Sequence, residues 1–175
     1  MLVINMLGGP GSRKSTIAMQ TTAAFKWRGT KVEYVSEYAK DATWDEHHSA
    51  LKDQLWVLAN QQRRLTRLEG KVDVVVTDSP ILLSAVYGRM YSPGLPPSFY
   101  QLCKDLYQKV ERVNLYIYRP DRYDNYGRSQ SKSEAMVIDD KVQEVLREWG
   151  EKVEYIKAED DSYKIVVDWV LEKMK

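Results

Sequence analysis

Eight consecutive residues, Gly8-Gly9-Pro10-Gly11-Ser12-Arg13-Lys14-Ser15, hold three glycines, a lysine and a hydroxyl directly behind a short apolar run, Leu2-Val3-Ile4-Asn5-Met6-Leu7. Those types in that order suit an anion. Glycines let backbone N–H groups converge on phosphate oxygens, and the helix that Lys14, Ser15 and Thr16 open adds the favourable end of its dipole. On a nucleoside triphosphate, Lys14 would reach the β- and γ-phosphates and the Ser15 hydroxyl would ligate Mg²⁺. A strand before the loop and a helix after it make phosphate binding a better reading than a tight turn at a helix start.

One position departs from this pattern. Glycine is expected immediately before the lysine, and Arg13 stands there. If that position needs a positive φ, a side chain costs on the order of 1 kcal/mol. The guanidinium would point outward or add a phosphate contact. The departure counts against full turnover and leaves nucleotide binding and fold in place.

Two acids complete the chemistry. Asp78 ends Val74-Val75-Val76-Thr77-Asp78-Ser79-Pro80, and a carboxylate at the tip of a buried strand is costly without a cation. Beside a phosphate loop that cation is Mg²⁺, held directly or through water; the plainer alternative is a helix cap. Glu37 follows another strand in Ser36-Glu37-Tyr38-Ala39-Lys40-Asp41, where a carboxylate can take the proton of a hydroxyl in line with the γ-phosphate. Asp41 is a weaker candidate for that role.

Phosphoryl transfer also needs cations over developing charge, delivered by a mobile segment. Arg119, Arg122 and Arg128, in the polar stretch from 119 to about 133, are the candidates. Gln54 could hydrogen-bond a base edge. Arg63, Arg64 and Arg67 could form a patch for a phosphate backbone or a solvated helix face. His47 and His48 lack a Cys or carboxylate at zinc spacing.

The elements that must position these groups alternate along the chain. Strands are expected at Leu2–Leu7, Lys31–Val35, Val72–Thr77, Asn114–Tyr118 and Lys152–Ile156. Helices are expected at Ser15–Trp27, from about Asp45 to Glu69, Ile81–Met90, Ser98 to about Arg112, and Glu134–Trp149. The 45–69 helix carries Leu51, Leu55, Leu58, Leu65 and Leu68 on one stripe. A closing helix carries Tyr163, Val166, Val167, Val170 and Met174. Strands separated by helices predict an α/β fold, a three-layer arrangement around a five-stranded parallel sheet with an Arg-rich lid. Ligands in such sheets lie at the carboxyl ends of the strands, where every motif above falls.

Length and composition fit a single domain over residues 1–175: 43% of the residues are hydrophobic and 29% charged. With 26 Lys and Arg against 25 Asp and Glu, no global field recruits nucleic acid, so any such contact needs a local patch. Cys103 is the only cysteine, which excludes an internal disulfide, and Leu102 and Leu106 mark it as a core thiol. The run from Leu2 to Leu7 is too short for a signal segment or membrane span, so a cytoplasmic location is expected.

The motifs GGPGSRKST, SEYAKD, VVVTDSP and RPDRYDNYGRSQ together resemble the P-loop kinases of the thymidylate-kinase-like and nucleoside-kinase-like group. The SEYAKD element is also similar to that of nicotinamide-riboside kinases. Taken whole, the chain resembles small phage-encoded AAA-type P-loop proteins, among them kinases of 5-hydroxymethyluracil in DNA. The resemblance covers nearly the whole chain. It implies ATP or GTP with Mg²⁺, phosphate binding from Gly8 to Ser15, metal at Ser15 and Asp78, and acceptor contact at Glu37. The implied partners are a nucleoside triphosphate and a nucleoside-type acceptor, free or within DNA. No membrane is expected, a homodimer is compatible, and host cytoplasm is the location if the gene is a phage's. A free nucleoside, a (deoxy)nucleotide and nicotinamide riboside remain alternative acceptors. A nucleotide-binding switch with little turnover is the alternative that Arg13 supports.

Overall fold

The computed structural model describes residues 1–120 and 131–173. Five strands, β1 (Leu2–Leu7), β2 (Val32–Val35), β3 (Val74–Thr77), β4 (Arg112–Tyr118) and β5 (Glu154–Lys157), form one sheet in the order β2-β3-β1-β4-β5. Every pairing is parallel, with Asn5 opposite both Thr77 and Asn114. β1 and β3 are buried along their whole length. That fits their central places in a sheet covered on both faces.

One face is covered by α1 (Lys14–Trp27) and α8 (Ser162–Lys173), whose Ile17, Phe25, Val166 and Val170 pack on Ile4, Met6, Val76 and Leu115. The other is covered by α4 (Gln54–Thr66), α5 (Leu82–Tyr91), α6 (Pro97–Gln108) and α7 (Lys132–Trp149), which pack on Val3, Leu7, Val75 and Tyr116. Cys103 belongs to this second core, where burial pushes its thiol up to about 12. The expected three-layer α/β architecture with a five-stranded parallel sheet is therefore present. No helix among the described residues is long and apolar enough to cross a membrane.

Several boundaries differ from expectation. The single helix expected from Asp45 to Glu69 is two pieces, α3 (His48–Lys52) and α4, and a further short helix, α2 (Tyr38–Trp44), precedes them. Glu46 takes a positive φ of 57°, and the Asp53 carboxylate accepts the Trp56 N–H at 3.1 Å to start a new helix. Local capping overrides the leucine repeat. Leu58 and Leu65 from that stripe are buried, but Leu55 is 52% exposed.

α6 opens with Pro97 at its first position rather than on a Ser98 cap, as suits a residue without an N–H. It ends at Gln108 instead of Arg112. Arg112 begins β4 and is held by Glu151 through Nε–Oε2 at 2.9 Å and Nη2–Oε1 at 2.7 Å. α7 begins at Lys132 behind a Ser131–Glu134 capping box, so the last residues of the expected lid are helical. Residues 121–130, including Arg122 and Arg128, and also Met174, lie outside the described residues.

Candidate active site

The loop between β1 and α1 turns on two left-handed residues that are not interchangeable. Gly11 has φ 82°, and Arg13 has φ 64° and ψ 21°. The position where glycine was expected thus has the backbone that favours glycine, and an arginine occupies it. Its guanidinium points outward to Asp160, 3.7 Å away, with both groups well exposed. Gly8, at φ 129°, also needs its missing side chain: a Cβ there would stand 2.9 Å from the Ile117 carbonyl.

Inside the loop, Lys14 Nζ donates to the Gly9 carbonyl at 2.8 Å and Ser12 Oγ donates to the same oxygen at 3.0 Å. Ser15 Oγ donates to Asp78 Oδ2. The second oxygen, Asp78 Oδ1, is buried and has no hydrogen-bond partner. A buried carboxylate oxygen left open beside a hydroxyl is the donor set that Mg²⁺ completes with phosphate oxygens and water. Ser15 and Asp78 therefore fit that ion. Among the described residues no group of three His, Cys, Asp or Glu could hold a metal by itself.

Glu37 occupies the turn between β2 and α2, half-buried. Burial first, and then the Asp78 carboxylate, raise its pKa above the ordinary glutamate value, against the pull of Lys14 and Lys40. Burial likewise lowers the Lys14 pKa, opposed by Glu37, Asp78 and Asp139 and assisted by Arg119. These charges act on one another because β1, β2 and β3 are adjacent and end at the same edge of the sheet. Desolvated, coupled groups at such an edge mark a functional site.

The fold also enlists residues that the sequence did not single out. Tyr34, on β2, is held well above the ordinary phenol range by burial and then by Asp78. Asp139, on α7, accepts the Gly9 N–H at 2.5 Å and pairs with Arg119 Nη2 at 2.6 Å. A phosphate-loop amide and the arginine after β4 thus share one carboxylate. Neither Tyr34 nor Asp139 belongs to a local motif.

The turn that carries Glu37 is fixed from α4. Gln61, buried, accepts the Tyr38 N–H at 3.0 Å and donates to the Ser36 carbonyl at 3.3 Å. Arg64 donates to Ser36 Oγ at 2.9 Å, pairs with Asp41, and lies 5.4 Å over the Tyr38 ring. Arg64 is thus engaged with its own chain, which corrects its expected place in a phosphate-backbone patch. Asp41 is held in that pair and also adds to the charges that raise the Glu37 pKa. Gln54 is buried, with Nε2 on the Leu51 carbonyl at 3.0 Å and Oε1 buried without a hydrogen-bond partner, so its amide is not displayed at the surface. Thr16 is exposed in the first turn of α1, and Pro10 lines the loop.

A family model described as AAA domain matches residues 3–163. No curated protein matches the sequence. Among solved structures, the chain is similar to the NadR protein in complex with NR, at 18% identity and a TM-score of 0.72, covering 97% of this chain and 50% of that one. It thus spans about half the length of that protein. It is also similar to thymidylate kinase from Ehrlichia chaffeensis, at 16% identity and a TM-score of 0.66, covering 99% and 98% of the two chains. Deoxyadenosine kinase from M. mycoides, with products dCMP and dCDP bound, is similar at 14% identity, a TM-score of 0.59 and 98% coverage of both. At these identities the likeness is one of fold, a nucleoside- or nucleotide-kinase-like P-loop fold.

Proposed function

The chain belongs to the AAA domain family, and from that premise we propose that it is a kinase moving the γ-phosphoryl group of ATP or GTP to a hydroxyl of a nucleoside-type acceptor. The observation that carries the reading is the convergence of Lys14, the Ser15–Asp78 pair and Glu37 at one edge of the sheet, where the Asp78 charge acts on both Lys14 and Glu37.

In this reading the backbone amides from Gly11 to Ser15 and the Lys14 ammonium hold the phosphate tail, while the Gly9 N–H is held by Asp139. Bound Mg²⁺, on Ser15 and Asp78, would neutralise part of the tail's charge. Glu37 accepts the proton of the acceptor hydroxyl, whose oxygen forms the new bond to phosphorus while the bond to the β-phosphate oxygen breaks. The raised pKa suits a base working near neutrality better than an ordinary surface glutamate would. Arg119, Arg122 and Arg128 are the cations assigned to the transferring group.

We further propose that the acceptor is the hydroxymethyl group of 5-hydroxymethyluracil within phage DNA. Support comes from α4, where Trp56, Arg63 and Arg67 are exposed and spaced to one helical face. Trp56 Nε1 donates to the Tyr38 hydroxyl at 2.6 Å, so the stripe begins beside Glu37. An aromatic followed by cations suits base stacking and a phosphate backbone.

Labelled ATP presented to hydroxymethyluracil DNA, unmodified DNA, free nucleosides, nucleotides and nicotinamide riboside tests both levels. Label on the modified DNA alone is expected. Label only on a free acceptor removes the DNA reading, and no labelled product at all removes the kinase reading. The left-handed Arg13 favours one competing reading, a nucleotide-binding switch. Tight ATP binding without acceptor-dependent turnover in both the wild type and Arg13→Gly would establish it.

A further inference from the structure

Asp139 lies two turns into α7, and each of its oxygens has a different charged or polar partner. Oδ1 accepts the Gly9 N–H at 2.5 Å, and Oδ2 accepts Arg119 Nη2 at 2.6 Å. The same guanidinium nitrogen donates to the Ala135 carbonyl at 3.2 Å. The Arg119 side chain is 8% exposed and that of Asp139 is 21% exposed, so the pair is largely withdrawn from water. A Cβ on Gly9 would stand 2.6 Å from the Ala135 carbonyl and 2.8 Å from Asp139 Oδ1. Glycine at position 9 is what lets α7 approach the loop this closely.

We propose that Asp139 is a positioning residue for phosphoryl transfer, fixing the Arg119 guanidinium beside the phosphate loop so that it meets the outermost phosphate of the bound nucleoside triphosphate. The inference rests on the kinase reading above. Arg119 and Asp139 both act on the Lys14 ammonium, which follows the terminal phosphates, so the three share one electrostatic neighbourhood. A carboxylate is required for the arrangement. The Gly9 N–H and the Arg119 guanidinium can only donate, and an amide offers one acceptor and one donor, so an asparagine satisfies only one of those two, even though its N–H could still meet the Tyr116 hydroxyl that also bonds Asp139. Charge-assisted bonds on both sides make the link stiffer than a neutral one.

Calorimetry with ATP and with ADP, on the wild type and on Asp139→Asn, tests this. The wild type should prefer ATP, and the variant should narrow that preference at least fivefold, losing affinity mainly for ATP. Equal weakening of both nucleotides, or an unaltered preference, overturns the proposal. A wild-type chain that binds neither nucleotide removes the kinase reading itself, an outcome distinct from failure of the variant. Amide exchange at Gly9, followed by NMR without nucleotide, reads the link separately. It should rise at least tenfold in folded Asp139→Asn, and an unchanged rate overturns the link. If that variant does not fold, Arg119→Lys keeps the charge but loses the forked head, and the same fivefold narrowing is expected. An unaltered ATP preference in Arg119→Lys overturns the proposal.

Discussion

Arg13→Gly should stabilise the protein, since position 13 is the N-cap of α1 and has a left-handed backbone. Arg13 is held at φ 64° and ψ 21°, where the Cβ of an L-residue crowds the following carbonyl at a cost of about 1–2 kcal/mol. Glycine removes that cost but gains unfolded-state freedom of about 0.4–1 kcal/mol. The side chain forfeits little, since its ion pair with Asp160 spans 3.7 Å between exposed groups that solvent screens. The difference is a gain of about 0–1.6 kcal/mol, centred near about 0.8. For a chain of this size it raises Tm by about 1–4 °C. Arg13→Ala is the control. It deletes the guanidinium but keeps the Cβ, so its Tm should stay within about 1 °C of wild type. Thermal unfolding without nucleotide measures both. If the glycine variant melts at or below the wild type and the alanine variant melts lower still, the guanidinium stabilises the loop more than the backbone strain costs, and the argument is wrong.

Glu37→Gln should raise Tm at neutral pH while lowering transfer about 100-fold or more. A carboxyl whose pKa is raised by folding contributes stability below the ordinary glutamate range and loses it as pH rises through the folded value. The neutral amide escapes that loss. A Tm unchanged at pH 7 would show the carboxylate is not desolvated. Gly9→Ala should cost about 2 kcal/mol, because the Cβ meets the Ala135 carbonyl backbone at 2.6 Å. Chemical denaturation reads the loss, and a stability equal to wild type would mean that α7 yields freely. Arg64→Ala should raise the acceptor KM severalfold and leave ATP affinity alone, since Arg64 braces only the Ser36–Asp41 turn. A matching loss of ATP affinity in calorimetry would place its effect elsewhere.

Much of this was legible because local chemistry dictated it. The β-branched run Val74-Val75-Val76-Thr77 could hardly be anything but a strand, and the glycine loop before Lys14 announced its own geometry, including the positive φ at Arg13. Asp78 and Glu37 could be singled out as candidates because an acid at a strand end is conspicuous. Asp139 was not, because on a helix rich in Glu, Asp and Lys it looks like any solvated carboxylate. No spacing joins it to Gly9. Only the passage of α7 across the end of β1 does. Tyr34 likewise reads as ordinary strand alternation until β2 is laid beside β3. The broken 45–69 helix failed for a local reason: a leucine period persists across a break, and the Asp53 cap outweighs it.

β1 is made before β3 and β4 and sits between them in the sheet. Asn5 meets Asn114 across 109 positions of sequence. During synthesis the six residues of Leu2–Leu7, all destined for burial, therefore have no partner on the β4 side until that strand leaves the ribosome. Because nascent apolar segments invite association and long-range pairing is slow, these residues stay open to association until β4 is made. The loop that follows β1 acquires its shape only once β4 and α7 exist, since Gly8 packs on Ile117 and the Gly9 N–H bonds Asp139. A ribosome stalled before Tyr118 would carry the complete GGPGSRKS motif without the elements that shape it.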